Sequence, residues 1–283
     1  MSVIAVLLTL FGLVGQAAPP QPATSVPASV VVMTFNIRYG TANDGENRWE
    51  RRREQLFDLI KAEQPDVIGL QEALHAQIDE ILAAVPGYAM AGVGRSDGGQ
   101  AGEYAALLYK RARLTVRMTD TFWLSDSPRL VASKTWGNTI ERICTWARFD
   151  DKAGPSFYVY NLHLDHQSQP SRERSVELVL KTIAAREPAA PVIVTGDFNA
   201  GEANPATKAM ATRFADSFRM LHPQASDVGT FTGFELGKTQ GEKIDYIFVE
   251  PGTPVTRAEI LRTARDGRYP SDHFPVVAEL RLK

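Results

Sequence analysis

The residue types able to do chemistry stand at the ends of short apolar runs. Gly196-Asp197-Phe198-Asn199-Ala200 follows Pro191-Val192-Ile193-Val194-Thr195, a β-branched run bounded by Pro and Gly. That reads as a buried strand ending in a sharp turn. Open α/β sheets place ligands just past the carboxyl ends of such strands. Residues two apart in an extended segment point the same way, so Asp197 and Asn199 can face one bound group together.

Further polar stations share this placement. Asn36 ends the run that starts at Val30, and Glu72 follows Val67-Ile68-Gly69-Leu70. A carboxylate delivered to a sheet edge suits a hard cation such as Mg²⁺, which takes one or two protein carboxylates and keeps several waters. His163, in Asn161-Leu162-His163-Leu164-Asp165-His166, sits at another strand end. There a neutral imidazole accepts a proton, and a protonated one donates to a phosphoryl oxygen. Asp245 lies within the apolar run Ile244 to Val249, where a carboxylate needs a His, Arg or metal partner. Asp272-His273 supplies that partner: in an irregular segment the two can face apart, one onto a metal and the other onto a water.

The elements that must carry these groups follow from periodicity. Val30–Phe35, Val67–Leu70, Ala105–Tyr109, Leu114–Met118, Ile140–Phe149, Phe157–Leu162, Pro191–Thr195, Ile244–Val249, Thr256–Leu261 and Phe274–Leu280 read as strands. Helical spacing runs from Trp49 to Lys61, around Ile78 to Leu82, from Ser171 to Arg186 and near Pro205 to Phe214. Helices beside the early and middle strands, with hairpins elsewhere, predict one α/β domain with mixed or antiparallel sheets.

The 283 residues, 44% hydrophobic, suffice for one large domain or two small ones. A net charge of −2 offers no global field toward nucleic acid or an anionic membrane, so charge neutralisation at a phosphate must be local. The apolar run Ser2–Val14 ends near Gly15-Gln16-Ala17, too short for a membrane span and suited to a cleaved signal over residues 1–17. Residues 18–29, with Pro19, Pro20, Pro22 and Pro27, read as an extended linker, and residues 30–283 as the domain. The sole cysteine, Cys144, reads as a small buried residue.

Taken in order, Thr34-Phe35-Asn36-Ile37-Arg38, Leu70-Gln71-Glu72, Asn161-Leu162-His163, Gly196-Asp197-Phe198-Asn199, Ile244-Asp245-Tyr246 and Ser271-Asp272-His273 resemble the endonuclease/exonuclease/phosphatase superfamily. The resemblance spans Val30 to Leu280 and implies two packed β-sheets flanked by helices, a four-layer sandwich with the active site at one end. It implies that Glu72 holds an essential Mg²⁺ or Mn²⁺, with Asn36 and Asp272 close by. Asp197 and Asn199 would position the phosphate and the attacking water. His273, supported by Asp245, would be the general base or electrostatic stabiliser, and His163 would meet the phosphoryl oxygen or leaving group. Glu103 resembles the acid that orients that His, Arg38 resembles a residue of the secreted deoxyribonucleases, and Arg95 in its Gly-rich loop is a candidate grip for a terminal phosphate.

The Gly92–Gly98 loop, Gly102-Glu103-Tyr104 and Thr121–Ser125 look like exported bacterial members of the group. The expectation is therefore an exported phosphoesterase that favours a diester, with a sugar, inositol or nucleotide monoester as the alternative. No basic track interleaved with aromatics indicates long nucleic acid, and neither a protein partner nor stable membrane contact is indicated. A catalytically silent binding module would leave the acids and histidines without a purpose. A glycosidase pairing Glu72 with Asp197 gains nothing from Asn199 or His273.

Overall fold

The computed structural model describes residues 1–4 and 29–283. The export signal and the Pro-rich linker fall mainly on residues 5–28, outside those described. Among the described residues no helix is long and apolar enough to cross a membrane.

The first half of the chain runs β1 (Val30–Asn36), α1 (Trp49–Glu63), β2 (Val67–Gln71), α2 (His75–Ala84), β3 (Tyr88–Ala91), β4 (Leu107–Lys110), β5 (Leu114–Trp123) and β6 (Ile143–Asp151). It continues with β7 (Phe157–His163), α3 (Gln169–Ala184), β8 (Val192–Asp197), α4 (Pro205–Ala211), β9 (Ala215–Asp216), α5 (Ser217–Leu221), β10 (Asp245–Val249), β11 (Val255–Ile260) and β12 (Val276–Leu280). Two six-stranded sheets result, ordered β11-β12-β1-β2-β4-β3 and β5-β6-β7-β8-β10-β9. Both are mixed: β1 with β2 and β7 with β8 are parallel, whereas β12 with β1 and β10 with β8 are antiparallel.

Strand period and burial fix the layers. On β1, Val32 faces the other sheet, while Met33 and Phe35 pack with Leu56, Ile60, Ile78 and Ile81 of α1 and α2. On the second sheet, Val159, Ile193 and Ile247 face inward, and Tyr160, Val194 and Phe248 pack outward with Val176, Val179 and Met210 of α3 and α4. A strand buried on both faces needs apolar side chains at every position, which is why these runs lack alternation. Helix, sheet, sheet and helix layers form the sandwich.

The inward faces grade from apolar to polar along the strands. Above Val32, Val67, Val159 and Ile193 lies a hydrogen-bonded layer. Gln71 Nε2 donates to Thr34 Oγ1 at 3.1 Å and to Asn161 Oδ1 at 2.7 Å, and Thr195 Oγ1 donates to the same Asn161 oxygen at 3.0 Å. Asn161 Nδ2 reaches the Leu70 and Ala106 carbonyls at 2.8 and 2.9 Å. Every buried amide group of this layer but Gln71 Oε1 is paired this way, and the pairing stitches one sheet to the other. Gly69 leaves room for it, because a Cβ there would lie 2.4 Å from Thr195 Oγ1 and 2.5 Å from Asn161 Oδ1. Gly69→Ala should therefore cost about 1–3 kcal/mol of stability as an overpacked interface. A urea titration reads this directly, and a loss under about 0.5 kcal/mol, the range of an ordinary surface change, would mean the sheets part freely here.

Several elements differ from the sequence reading: no strand was read at β3 or β9, and β5 and α5 depart as well. β5 continues past Met118 to Trp123, because antiparallel pairing with β6 carries it through a register shift between Val116 and Met118 despite the polar Arg117, Thr119 and Asp120. The short helix α5 was not expected; its Asp216 cap accepts the Phe218 N–H, and five residues are too few to show a helical period.

Candidate active site

Alternation carries the inward faces to the chemistry. On β1, β7 and β8 the same face that bears Val32, Val159 and Ile193 ends in Asn36, His163 and Asp197, and β10 begins on it with Asp245. Registers align them: His163 stands opposite Asp197 on the parallel pair, and Asp197 opposite Asp245 on the antiparallel one. Glu72 follows Gln71, the register partner of Asn36. The segment before β12 adds Asp272 and His273, tied in by Ser271 Oγ donating to the Asn36 carbonyl at 2.7 Å. One cleft of about 540 Å³ is lined by Arg38, Glu72, Arg95, Glu103, His163, Asp197, Asn199, Asp272 and His273. Asp245 stands directly behind it.

Asp197 is the hub. Its Oδ2 accepts from Asn36 Nδ2 at 3.0 Å and lies 3.6 Å from His163 Nε2 and 3.8 Å from His273 Nε2. Its Oδ1 accepts the Asn199 backbone N–H at 2.8 Å. His273 Nδ1 meets Asp245 Oδ2 at 2.9 Å, which leaves Nε2 facing the cleft. Burial and the neighbouring Asp245 charge push the Asp197 carboxyl up to about 7. Burial opposes charge on His273, but Asp245 and Asp197 outweigh it and hold the imidazole well above its usual 6.5. His163 moves the other way, well below 6.5, through burial and the Arg142 guanidinium. One imidazole is thus inclined to carry a proton and the other to stay neutral, the contrast acid–base chemistry needs.

Glu72 and Asp272 face the same group: Arg38 comes within 3.8 Å of a carboxylate oxygen of each. Burial, with Glu72 adding to it, raises the Asp272 carboxyl. Five carboxylates and three guanidiniums line the cleft, so an entering phosphate would meet excess negative charge. Two converging carboxylates in such a place fit a hard divalent cation. Asp197, Asp245 and His273 also bring ligand atoms within 4.8 Å of one another. There, however, His273 and Asp245 already engage each other, which suits proton transfer better than metal binding.

Two expected roles change. Asn36 lies beside Glu72, but its amide oxygen accepts the Arg38 backbone N–H at 3.0 Å, which turns its nitrogen toward Glu72 Oε1 at 3.1 Å. It aligns two carboxylates and presents its nitrogen, not its oxygen, toward them. Glu103 was expected to orient His163; its Oε1 instead accepts from Arg95 at 2.6 Å, and Arg142 is the group against the His163 ring. Asn199 is held by its side chain donating to the Leu164 carbonyl at 3.0 Å.

The backbone is strained at this cleft. Arg38, Glu72, Asn199 and Phe234 adopt left-handed φ values of 55, 59, 47 and 68°. Non-glycine residues there cost of order 1–3 kcal/mol each and gather where geometry must be held for function. Sequence reasoning overlooked Arg142, Asp44 and Arg52. Arg142 interrupts an apolar run at Ile140–Cys144, and that buried cation was the available signal. Asp44 binds Arg38 through both of its carboxylate oxygens at 3.1 Å; it lies in a polar loop with nothing to mark it. Arg52, 1% exposed, joins the two sides of the cleft by donating to the Ile37, Arg38 and Pro270 carbonyls. Its spacing from Trp49 and Leu56 places it on the apolar face of α1, which betrays it.

The family model described as endonuclease/exonuclease/phosphatase matches residues 33–273. A solved endonuclease/exonuclease/phosphatase from Bacteroides vulgatus superposes with a TM-score of 0.83 at 36% identity, over 90% of this chain and 100% of that one. A mannosyl-6-phosphatase from Bacteroides thetaiotaomicron gives 0.82 at 32% identity, over 89% of this chain and 99% of that one. Nocturnin of Drosophila melanogaster is 26% identical over 86% of this chain. Of the two curated relatives it matches, the chain spans 66% and 44% of the length. The ordered motifs, the two-sheet sandwich and the acid–imidazole cleft at its end agree with these likenesses, and the chain belongs to the endonuclease/exonuclease/phosphatase family.

Proposed function

We propose that this protein is an exported, Mg²⁺- or Mn²⁺-dependent phosphoesterase that hydrolyses a small phosphate ester by in-line attack of water. The observation that carries the reading is the meeting of Asn36, Glu72, His163, Asp197, Asp245, Asp272 and His273, far apart in sequence, at one end of the sandwich. Glu72 and Asp272 would hold the cation, and Asn36 keeps the carboxylates aligned. When bound, the cation supplies positive charge for the oxygens that gain charge during P–O cleavage. His273, fixed by Asp245 at Nδ1, directs Nε2 into the cleft, where its neutral form takes the proton of the attacking water and its protonated form stabilises the phosphoryl oxygens. Asp197 and Asn199 position that water and the phosphate. His163, held neutral, donates its one ring N–H to a phosphoryl oxygen. Water is the nucleophile, so no Ser or Cys is required, and Cys144 lies fully buried with its thiol pushed up by burial.

The test is a panel of nucleic acids, nucleotides, sugar phosphates, inositol phosphates and phospholipids assayed with Mg²⁺, Mn²⁺ and Ca²⁺. Hydrolysis of one class, abolished by chelator and restored by the metal, is expected. Activity that survives chelation would overturn the metal role, and no hydrolysis of any phosphate ester would overturn the reading. Export is tested by fractionating cells that make the full chain: the protein should leave the cytoplasm lacking residues 1–17.

A further inference from the structure

We infer that Arg142 is a specificity-determining residue that favours phosphate monoesters over diesters, an inference that rests on the phosphoesterase reading above. Arg142 is 2% exposed and lines the cleft beside His163. Its Nε approaches Asp165 Oδ2 at 3.4 Å, the one carboxylate it meets among the described residues. Asp165 is itself engaged, its Oδ1 accepting the Gln167 and Ser168 backbone N–H groups at 2.9 and 2.6 Å. The two terminal nitrogens meet imidazoles instead. Nη1 lies 3.2 Å from both ring nitrogens of His163, and Nη2 lies 2.8 Å from His166 Nδ1. Each terminal nitrogen carries two N–H groups and is set against a single imidazole, so neither is neutralised by a carboxylate and each has a further N–H to offer a ligand.

The other guanidiniums of the cleft are already matched. Arg95 pairs with Glu103 at 2.6 Å, and Arg38 is shared among Asp44, Glu72 and Asp272. A buried guanidinium whose terminal nitrogens face the cleft without a carboxylate is a site for an anion, and its planar fork matches a phosphoryl group.

The geometry of phosphate decides which ester this serves. A diester has two non-bridging oxygens and one negative charge; a monoester near neutral pH has three and nearly two. In the phosphoesterase reading above, a cation at Glu72 and Asp272 would take one phosphoryl oxygen. The second N–H of Asn199 Nδ2, whose first goes to the Leu164 carbonyl, would take another. A third oxygen, present only in the monoester, needs a donor on the His163 side, where Arg142 stands. This departs from the preference for a diester read from the sequence.

The experiment compares the wild type with Arg142→Gln and Arg142→Lys on an aryl phosphate monoester and a bis-aryl diester, with Mg²⁺ present. Competitive inhibition by inorganic phosphate is measured on each protein. In the Gln variant the monoester-to-diester ratio of kcat/KM should fall about 10–100-fold, the range for losing a hydrogen bond to a charged group. The inhibition constant for phosphate should rise by a similar factor. Lys, which keeps the charge but not the fork, should recover part of both. Thermal melts check that each variant is folded, and the Lys variant retains a cation for Asp165 if the Gln variant unfolds. Equal losses on both esters, with phosphate inhibition unchanged, would overturn the inference. A wild type inactive on both esters would refute the phosphoesterase reading itself, and this inference with it.

Discussion

His273→Asn should lower kcat by about 10²–10⁴-fold, the range for removing a positioned general acid or base. The imidazole is held from behind by Asp245 at 2.9 Å and faces Asp197 Oδ2 at 3.8 Å through Nε2. Asparagine reaches about as far as Nδ1, so its amide can still donate to Asp245 while nothing replaces Nε2. That choice matters because Asp245 is fully buried. An alanine would strand its carboxylate, adding about 1–3 kcal/mol of lost stability or more and confusing catalysis with folding. The Asn variant should melt below the wild type, because the buried Asp245 keeps a donor but loses a cationic partner, yet stay folded and bind Mg²⁺ with similar affinity by calorimetry. Its defect should appear in kcat, with KM little changed, because the missing group acts only as the water is deprotonated. Retention of more than a tenth of kcat would remove His273 from the role of base. Asp245→Asn should show a smaller loss, since the imidazole remains but loses its orienting charge.

Glu72→Gln should abolish measurable Mg²⁺ binding and lower kcat/KM by about 100-fold or more, since the charge stabilisation supplied by a bound cation is worth several kcal/mol. The metal-free protein offers a second readout. Glu72 and Asp272 both face Arg38 in a cleft rich in carboxylates, and the Glu72 charge adds to burial in disfavouring charge on Asp272. Removing one charge should leave the melting temperature of the metal-free variant unchanged or raised. The same variant should lose the rise in melting temperature that Mg²⁺ gives the wild type. Glutamine has one acceptor oxygen where Glu72 uses two, Oε2 for the Tyr39 N–H at 3.3 Å and Oε1 for Asn36 Nδ2 at 3.1 Å. It keeps only one of these bonds, so part of the gain from removing the charge is offset. A variant that still gains stability from Mg²⁺ would place the cation elsewhere, most plainly at the Asp197–Asp245–His273 group.

Much of this site was legible because its residues end buried strands in ordered motifs. Asn36, His163 and Asp197 each close an apolar run, where a single polar side chain is common and bland, and it was the six motifs standing in order along the chain that singled them out. The layered architecture was legible for a related reason: runs buried on both faces lose their alternation, and helical periods beside them show what covers those faces. Glu103 shows the limit. Its motif gave it a partner, but the choice between His163 and Arg95 depends on where the 92–102 loop folds, and local sequence holds no record of that distance. Arg52 shows the same limit from the other side. Its period marks it as buried, yet the carbonyls it joins belong to segments separated by more than two hundred residues, Ile37 and Pro270.

The sequence by itself determined the strands, the face each presents and the residue standing at each end, because side-chain period and burial are local properties of the chain. Only the tertiary structure decided which ends meet. It made Asp197 the hub between two imidazoles, turned the Asn36 nitrogen toward Glu72, gave Glu103 to Arg95 and set Arg142 against His163. Those pairings follow from strand order and register, and a register is fixed by how two sheets pack over their whole length, not by the residues at their ends.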